Sequence, residues 1–152
     1  MEKQLITKVK TLSISFTIDQ IISIERMIEV TPLPLSSNYF VGMGRIREKV
    51  IPIIDMNEVL FNQKSEEKDS TRLILVEGIG LQLALMVDEA NEIIEVKDED
   101  IQPLPEMNDN PMFNGVFKSK EMLVSMINLD GLIKGLSNIE SIREQVNQIN
   151  II

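Results

Sequence analysis

Short apolar or alternating runs, cut by turn residues, cover most of the chain. Leu12-Ser13-Ile14-Ser15-Phe16-Thr17-Ile18 alternates with period two, as a strand with one buried face does. Leu5 to Val9 precedes it, and Ile22 to Val30 follows less cleanly until Pro32-Leu33-Pro34 breaks the pattern. Gly42 to Arg47 and Lys49 to Ile54 predict a hairpin turning near Arg47-Glu48-Lys49. Pro52 has no backbone N–H, which predicts an edge strand or an outward position for it. Residues 62–71 hold no apolar side chain and predict a solvated loop between two halves. Strand patterns resume at Leu73 to Val76, Leu81 to Val87 and Glu92 to Val96, with Gly78-Ile79-Gly80 as a hairpin turn. A second polar stretch, Asn108 to Pro111, leads to Asn114 to Lys118 and Met122 to Ile127. Ile139, Ile142, Val146 and Ile149 then recur as one helical stripe. Ser137 and Glu140 have capping-box spacing, so a C-terminal amphipathic helix is predicted over 138–152.

The chain repeats itself. Laid without gaps over Phe113 to Ile133, Phe40 to Leu60 matches Phe40 with Phe113, Gly42 with Gly115, Glu48 with Glu121 and Ile54 with Ile127. Arg45 and Arg47 meet Lys118 and Lys120, and Asp55 meets Asn128. Upstream, Ile18-Asp19-Gln20-Ile21 and Ile24 match Val87-Asp88-Glu89-Ala90 and Ile93, and Pro32-Leu33-Pro34 matches Pro103-Leu104-Pro105. Each half offers about five short strands, a number that closes readily into a small barrel and removes exposed edges. The fold class expected is all-β, with two pseudo-equivalent five-stranded barrels and short helices.

Composition narrows the chemistry. The 152 residues give a hydrophobic fraction of 43% and a charged fraction of 26%, a globular balance. The net charge of -9 opposes phosphate backbones and anionic lipid, so neither nucleic acid nor direct membrane insertion is expected. The absence of Cys and His removes disulfides, thiolate metal sites, the commonest general base and the commonest transition-metal ligand. No signal peptide or membrane-spanning run is visible, so the expected compartment is the cytoplasm. Asp98-Glu99-Asp100 lacks EF-hand spacing and reads as a solvated turn. Asp55, and Asn128 or Asp130, read as caps of short helices. No catalytic residue, metal or cofactor is expected.

The run from Gly42 to Met56, with Gly42, Arg47, Pro52, Ile54 and Asp55 in place, resembles the CheW family of chemotaxis adaptors. Leu85 to Ala90, and Gly115-Val116 with Ile127 to Asp130, are weaker matches, and the resemblance covers about residues 4 to 136. Arg45 stands where the family usually has Asn, Glu48 where it has Gly, Ala84 where Gly is common and Ser23 where Glu is frequent. A turn that needs φ > 0 would strain Glu48, so the reading here is a turn built differently. The resemblance implies a single CheW-like domain over 1–137, made of two intertwined SH3-like barrels. The first is placed mainly at 10–61 and the second mainly at 72–137 plus the N-terminal strand.

The family further implies a non-enzymatic scaffold, monomeric alone. Its implied partners are the cytoplasmic tip of methyl-accepting chemoreceptors and the regulatory domain of a CheA-type histidine kinase, within membrane-associated receptor arrays. Arg47, Ile21 and Ile24 are the receptor-binding candidates, lining a groove between the barrels. Ala90 and Ile93, at the equivalent positions of the second half, are kinase- or groove-facing candidates. Two other readings stay open. One is a CheW-like adaptor of a pilus or gliding pathway. The other, of a different class, is a carboxylate-dependent hydrolase, against which stand the loop positions of most Asp and Glu residues.

Overall fold

The computed structural model describes residues 2–33, 37–104 and 111–151. Pro34, Pro105 and the stretch Asn108 to Asn110 lie outside the described residues. Two-residue alternation becomes strand throughout. The first half runs β1 (Glu2–Val9), β2 (Leu12–Thr17), β3 (Ile21–Arg26), β4 (Val30–Thr31), β5 (Phe40–Ile46), β6 (Lys49–Asp55) and α1 (Met56–Phe61). The second runs β7 (Arg72–Gly78), β8 (Leu81–Val87), β9 (Glu89–Val96), β10 (Gln102–Pro103), β11 (Phe113–Ser119), β12 (Met122–Ile127) and α2 (Leu129–Gly135). A final helix, α3, spans Ile139–Ile151.

The described residues form two six-stranded sheets, ordered β10-β11-β12-β2-β1-β9 and β3-β7-β8-β6-β5-β4. Each holds five longer strands, the number expected, and one two-residue strand, β4 or β10. In each sheet the two edge strands are consecutive in the chain, so the polypeptide itself bridges the seam of the curled sheet. We call the first sheet barrel A and the second barrel B.

The repeat is exact in register. β6 pairs with β8 in parallel at Ile53 with Ala84, and β12 pairs with β2 in parallel at Met126 with Ser15. Both β5–β6 and β11–β12 carry a bulge at the same place, after Phe40 and after Phe113. At the first bulge only glycine fits: Gly42 has φ of 149°, and an added Cβ would stand 2.4 Å from the Thr31 carbonyl oxygen.

The sheets do not follow the expected division at 62–71. β7 and β8 belong to barrel B with β3 to β6, while β1 and β2 belong to barrel A with β9 to β12. The reason is the parallel pairing. Parallel neighbours need a long crossover, and α1, the polar run and β7 together supply it between β6 and β8. The polar run is therefore internal to barrel B. The chain crosses between barrels at a short 3-10 turn, Ile18–Gln20, and at the single residue Asp88.

Three buried clusters result. Ile51, Ile53, Leu73, Leu75, Ala84 and Met86 belong to one made of barrel B residues. Ile6, Val96, Phe117, Val124 and Met126 form one of barrel A residues. The largest is shared: Leu5, Phe16, Ile54, Ile74, Leu85 and Ile127 meet there, joined by Ile142 and Val146 of α3. Burial of this kind is worth about 1.5–3 kcal/mol for each large aliphatic side chain.

Two local expectations are corrected. Pro52 is buried, and β6 lies between β5 and β8 rather than at an edge. Its missing N–H is accommodated because pairing with β8 begins only at Ile53. Ser137 does not cap α3. Its carbonyl accepts the Tyr39 hydroxyl and the Ser37 hydroxyl, and the helix starts from the Asn138 carbonyl, which receives the Ser141 and Ile142 N–H groups. Asp55 and Asn128 do cap α1 and α2, accepting from the N–H of Asn57 and of Gly131.

Candidate protein-binding site

The turn between β5 and β6 is the first element of the site. Arg47 and Glu48 both adopt left-handed backbone, φ 52° and 70°, the type I′ geometry that matches strand twist in a two-residue hairpin. The turn is thus not built differently to suit Glu48, as its side chain suggested. The register demands φ > 0, and the surrounding ladder holds two non-glycine residues there at about 1 kcal/mol or more each. Lys120 and Glu121 repeat the same angles, 48° and 68°, in the other barrel. Arg45 extends its guanidinium across the first turn to the Glu48 carbonyl, 3.3 Å away.

Arg47 is exposed at the tip, and among the described residues its guanidinium has no hydrogen bond or ion pair. Its counterpart Lys120 is engaged, with an ion pair of 3.2 Å to Glu92.

The edge strands β3 and β9 supply the apolar part. Ile21 is half-buried and packs on the shared core, as does its counterpart Ala90. Their other counterparts are open: Ile24 is 42% exposed and Ile93 is 56% exposed. Ile22, beside Ile24 in sequence, is 36% exposed. Ile93 pairs with Leu5, a shared-core residue, so its side chain lies on the face of barrel A that turns toward barrel B. The structure thus brings Ile21 and Ala90 to the junction between barrels and leaves Ile24 and Ile93 free at equivalent places. Pairing of Ile21 with Val76 puts Ile21 at the end of barrel B that also carries the Arg47 turn. Ile24 lies further along β3, toward the opposite end.

A polar latch that sequence reading did not find ties the barrels together. Asp55 is 2% exposed and accepts from Asn57 N–H at 2.9 Å and Ser65 N–H at 2.9 Å. Asn57, equally buried, donates from Nδ2 to Ser65 Oγ at 2.6 Å and to Asp88 Oδ1 at 2.9 Å. The other Asp88 oxygen accepts the Lys10 N–H at 2.6 Å. Asp88 therefore fastens the crossing to both the β1–β2 turn of barrel A and the α1 helix of barrel B. In sequence Asp55 was legible as a cap and Asp88 as the match of Asp19; nothing marked Asn57, or Ser65 within a polar run.

Among the described residues no group of Asp and Glu is arranged to hold a metal ion. Asp98–Asp100 forms an exposed 3-10 turn, as expected. No helix is long and apolar enough to cross a membrane.

A family model described as the CheW-like domain matches residues 5–137. The chain belongs to the CheW family. Among its relatives, the chemotaxis protein CheW of Bacillus subtilis is 25% identical over 147 residues, covering 95% of this chain and 94% of that protein. The CheW of Helicobacter pylori is 28% identical over 117 residues, covering 75% of this chain and 70% of the relative. The crystal structure of the scaffolding protein TtCheW from Thermoanaerobacter tengcongensis superposes with a TM-score of 0.78 at 23% identity, covering 87% of each chain. That likeness establishes the fold of two SH3-like barrels. CheW proteins are scaffolds and not enzymes, which removes the hydrolase reading. Helix α3 lies beyond the span that the CheW-like model matches.

Proposed function

We propose that this CheW-family chain couples the cytoplasmic tip of chemoreceptors to the regulatory domain of a CheA-type histidine kinase. The observation that carries the reading is the free Arg47 guanidinium, on a rigid left-handed turn, at the barrel B end that also holds Ile21. A guanidinium of this kind forks onto a carboxylate or onto the carbonyls that end a helix, while Ile21 at the same end and Ile24 further along β3 cover apolar side chains. Arg47, Ile21 and Ile24 take the receptor in this reading. Another barrel end pairs with the kinase regulatory domain, and Ala90 and Ile93 on barrel A face the kinase or the groove. Signal then passes because the Asp88 latch fixes one barrel against the other, so a shift at one face is felt at the other.

The test is co-sedimentation of the purified chain with a receptor cytoplasmic fragment and a CheA-type kinase. Both partners are expected in the pellet above background. Arg47→Ala and Ile24→Asp are each expected to weaken receptor capture about tenfold, with unchanged circular dichroism. Binding of neither partner by the wild-type chain would overturn the proposal.

A further inference from the structure

Helix α3 closes a defect in barrel B that stands open in barrel A. In a two-residue hairpin the residues flanking the turn exchange ladder bonds, so the next pair aims its N–H and C=O groups outward. On β6 that outward residue is Val50, which pairs with Arg45. Pairing with β8 begins only at Ile53, so the two strands splay at Val50. The Asn150 side chain fills the splay as a substitute strand: Oδ1 accepts the Val50 N–H at 3.0 Å, and Nδ2 donates to the Val50 carbonyl at 3.0 Å. Arg143 anchors the other end of the helix on the Ile79 carbonyl at 3.0 Å.

The counterpart of Val50 is Leu123, which pairs with Lys118 on the same parity. Pairing of β12 with β2 begins only at Ser125, so the same splay exists there. Among the described residues no side chain takes the place that Asn150 holds. Leu123 is 70% exposed, and Met122 beside it is 44% exposed. Lys118, cross-strand from Leu123 on β11, is exposed, while Lys120 on the turn is held by Glu92 and exposed Glu121 stands next to it.

We infer that the Leu123 splay of barrel A is a docking site for an amphipathic helix of a partner protein, seated as α3 is seated on barrel B. The internal repeat supplies the geometry of the occupant: an apolar stripe over Leu123 and Met122, and a side-chain amide bonded to the Leu123 backbone. The reading stands apart from the receptor and kinase assignments above, because it rests on neither Arg47 nor the edge isoleucines.

The probe is a capped synthetic peptide of residues 138–151 of this chain, which carries the stripe, Glu140, Glu144 and Asn150. It is titrated into the intact chain, whose own α3 occupies barrel B, and backbone amide shifts are recorded by NMR. Shifts centred on Met122, Leu123 and Ser13 are expected. Leu123→Asp is expected to weaken the peptide about tenfold, and a peptide with Asn150→Ala several-fold. Lys118→Glu, an exposed change that leaves the splay intact, is expected to weaken it to a smaller extent. No shift, shifts confined to Val50 and Ile79 by exchange with the resident helix, or a concentration-dependent dimer that Leu123→Asp abolishes would each overturn the inference.

Discussion

The hairpin of β5 and β6 and that of β11 and β12 share a bulge, a left-handed turn, a parallel neighbour and a side-chain cap, yet their surfaces are opposite. In barrel B the tip cation is free and the strand edge is covered by α3. In barrel A the tip cation is tied to Glu92 and the edge is bare. The backbone was kept through duplication because register and twist fix it. The exposed side chains differ because register and twist place no demand on them. The result is one frame, presented twice, with different chemistry on each copy.

The comparison can be broken most severely at α3. Ile142 is fully buried in the shared core, so Ile142→Ala is expected to cost about 2–5 kcal/mol in thermal or denaturant unfolding. Leu123→Ala, on the bare side, is expected to change stability by no more than about 0.5 kcal/mol. Similar losses at both places would mean that barrel A is covered after all. The caps give the next contrast. Asp55→Ala strips acceptors from Asn57 and Ser65 inside the latch and is expected to cost about 3 kcal/mol, against about 1 kcal/mol for Asn128→Ala.

The turns are expected to behave alike. Glu48→Gly and Glu121→Gly should each stabilise by about 1 kcal/mol by relieving left-handed strain. Unequal gains in chemical denaturation would show that one turn carries more strain than its twin. The smallest effect concerns Tyr39, whose hydroxyl donates to the Ser137 carbonyl at the start of α3. Burial raises its pKa above the ordinary 10.0, offset in part by a hydrogen bond with Ser37. The folded state thus holds the phenol proton more tightly than the unfolded state. That stability is complete below pH 10.0 and is lost as pH rises through the folded pKa. Tyr39→Phe should unfold with a flatter pH dependence in that window, and identical profiles would remove Tyr39 from the account.

Much of this architecture was legible from period and punctuation. Alternation located the strands, and the coincidence of Gly42 with Gly115 and Asp55 with Asn128 exposed the repeat. The family resemblance implied intertwined barrels with the N-terminal strand in the second, as β1 is found; that β2, β7 and β8 also change barrels was not legible, because apolar alternation states which face is buried but not against which neighbour. Pro52 misled for the same reason: its missing donor is harmless where a ladder has not yet begun. At the site, Arg47 and the edge isoleucines could be named from the family pattern, whereas the latch could not. Asp88 and Ser65 are distant in sequence, and hydrogen bonds leave no periodic trace.

Exchange of the first two strands between barrels has a further result for how the molecule comes apart. A cut anywhere in residues 63–70 would leave two fragments, each owning strands of both barrels. Neither piece could complete a sheet alone, so the nicked chain would hold together as a mutually threaded pair and unfold as one cooperative unit.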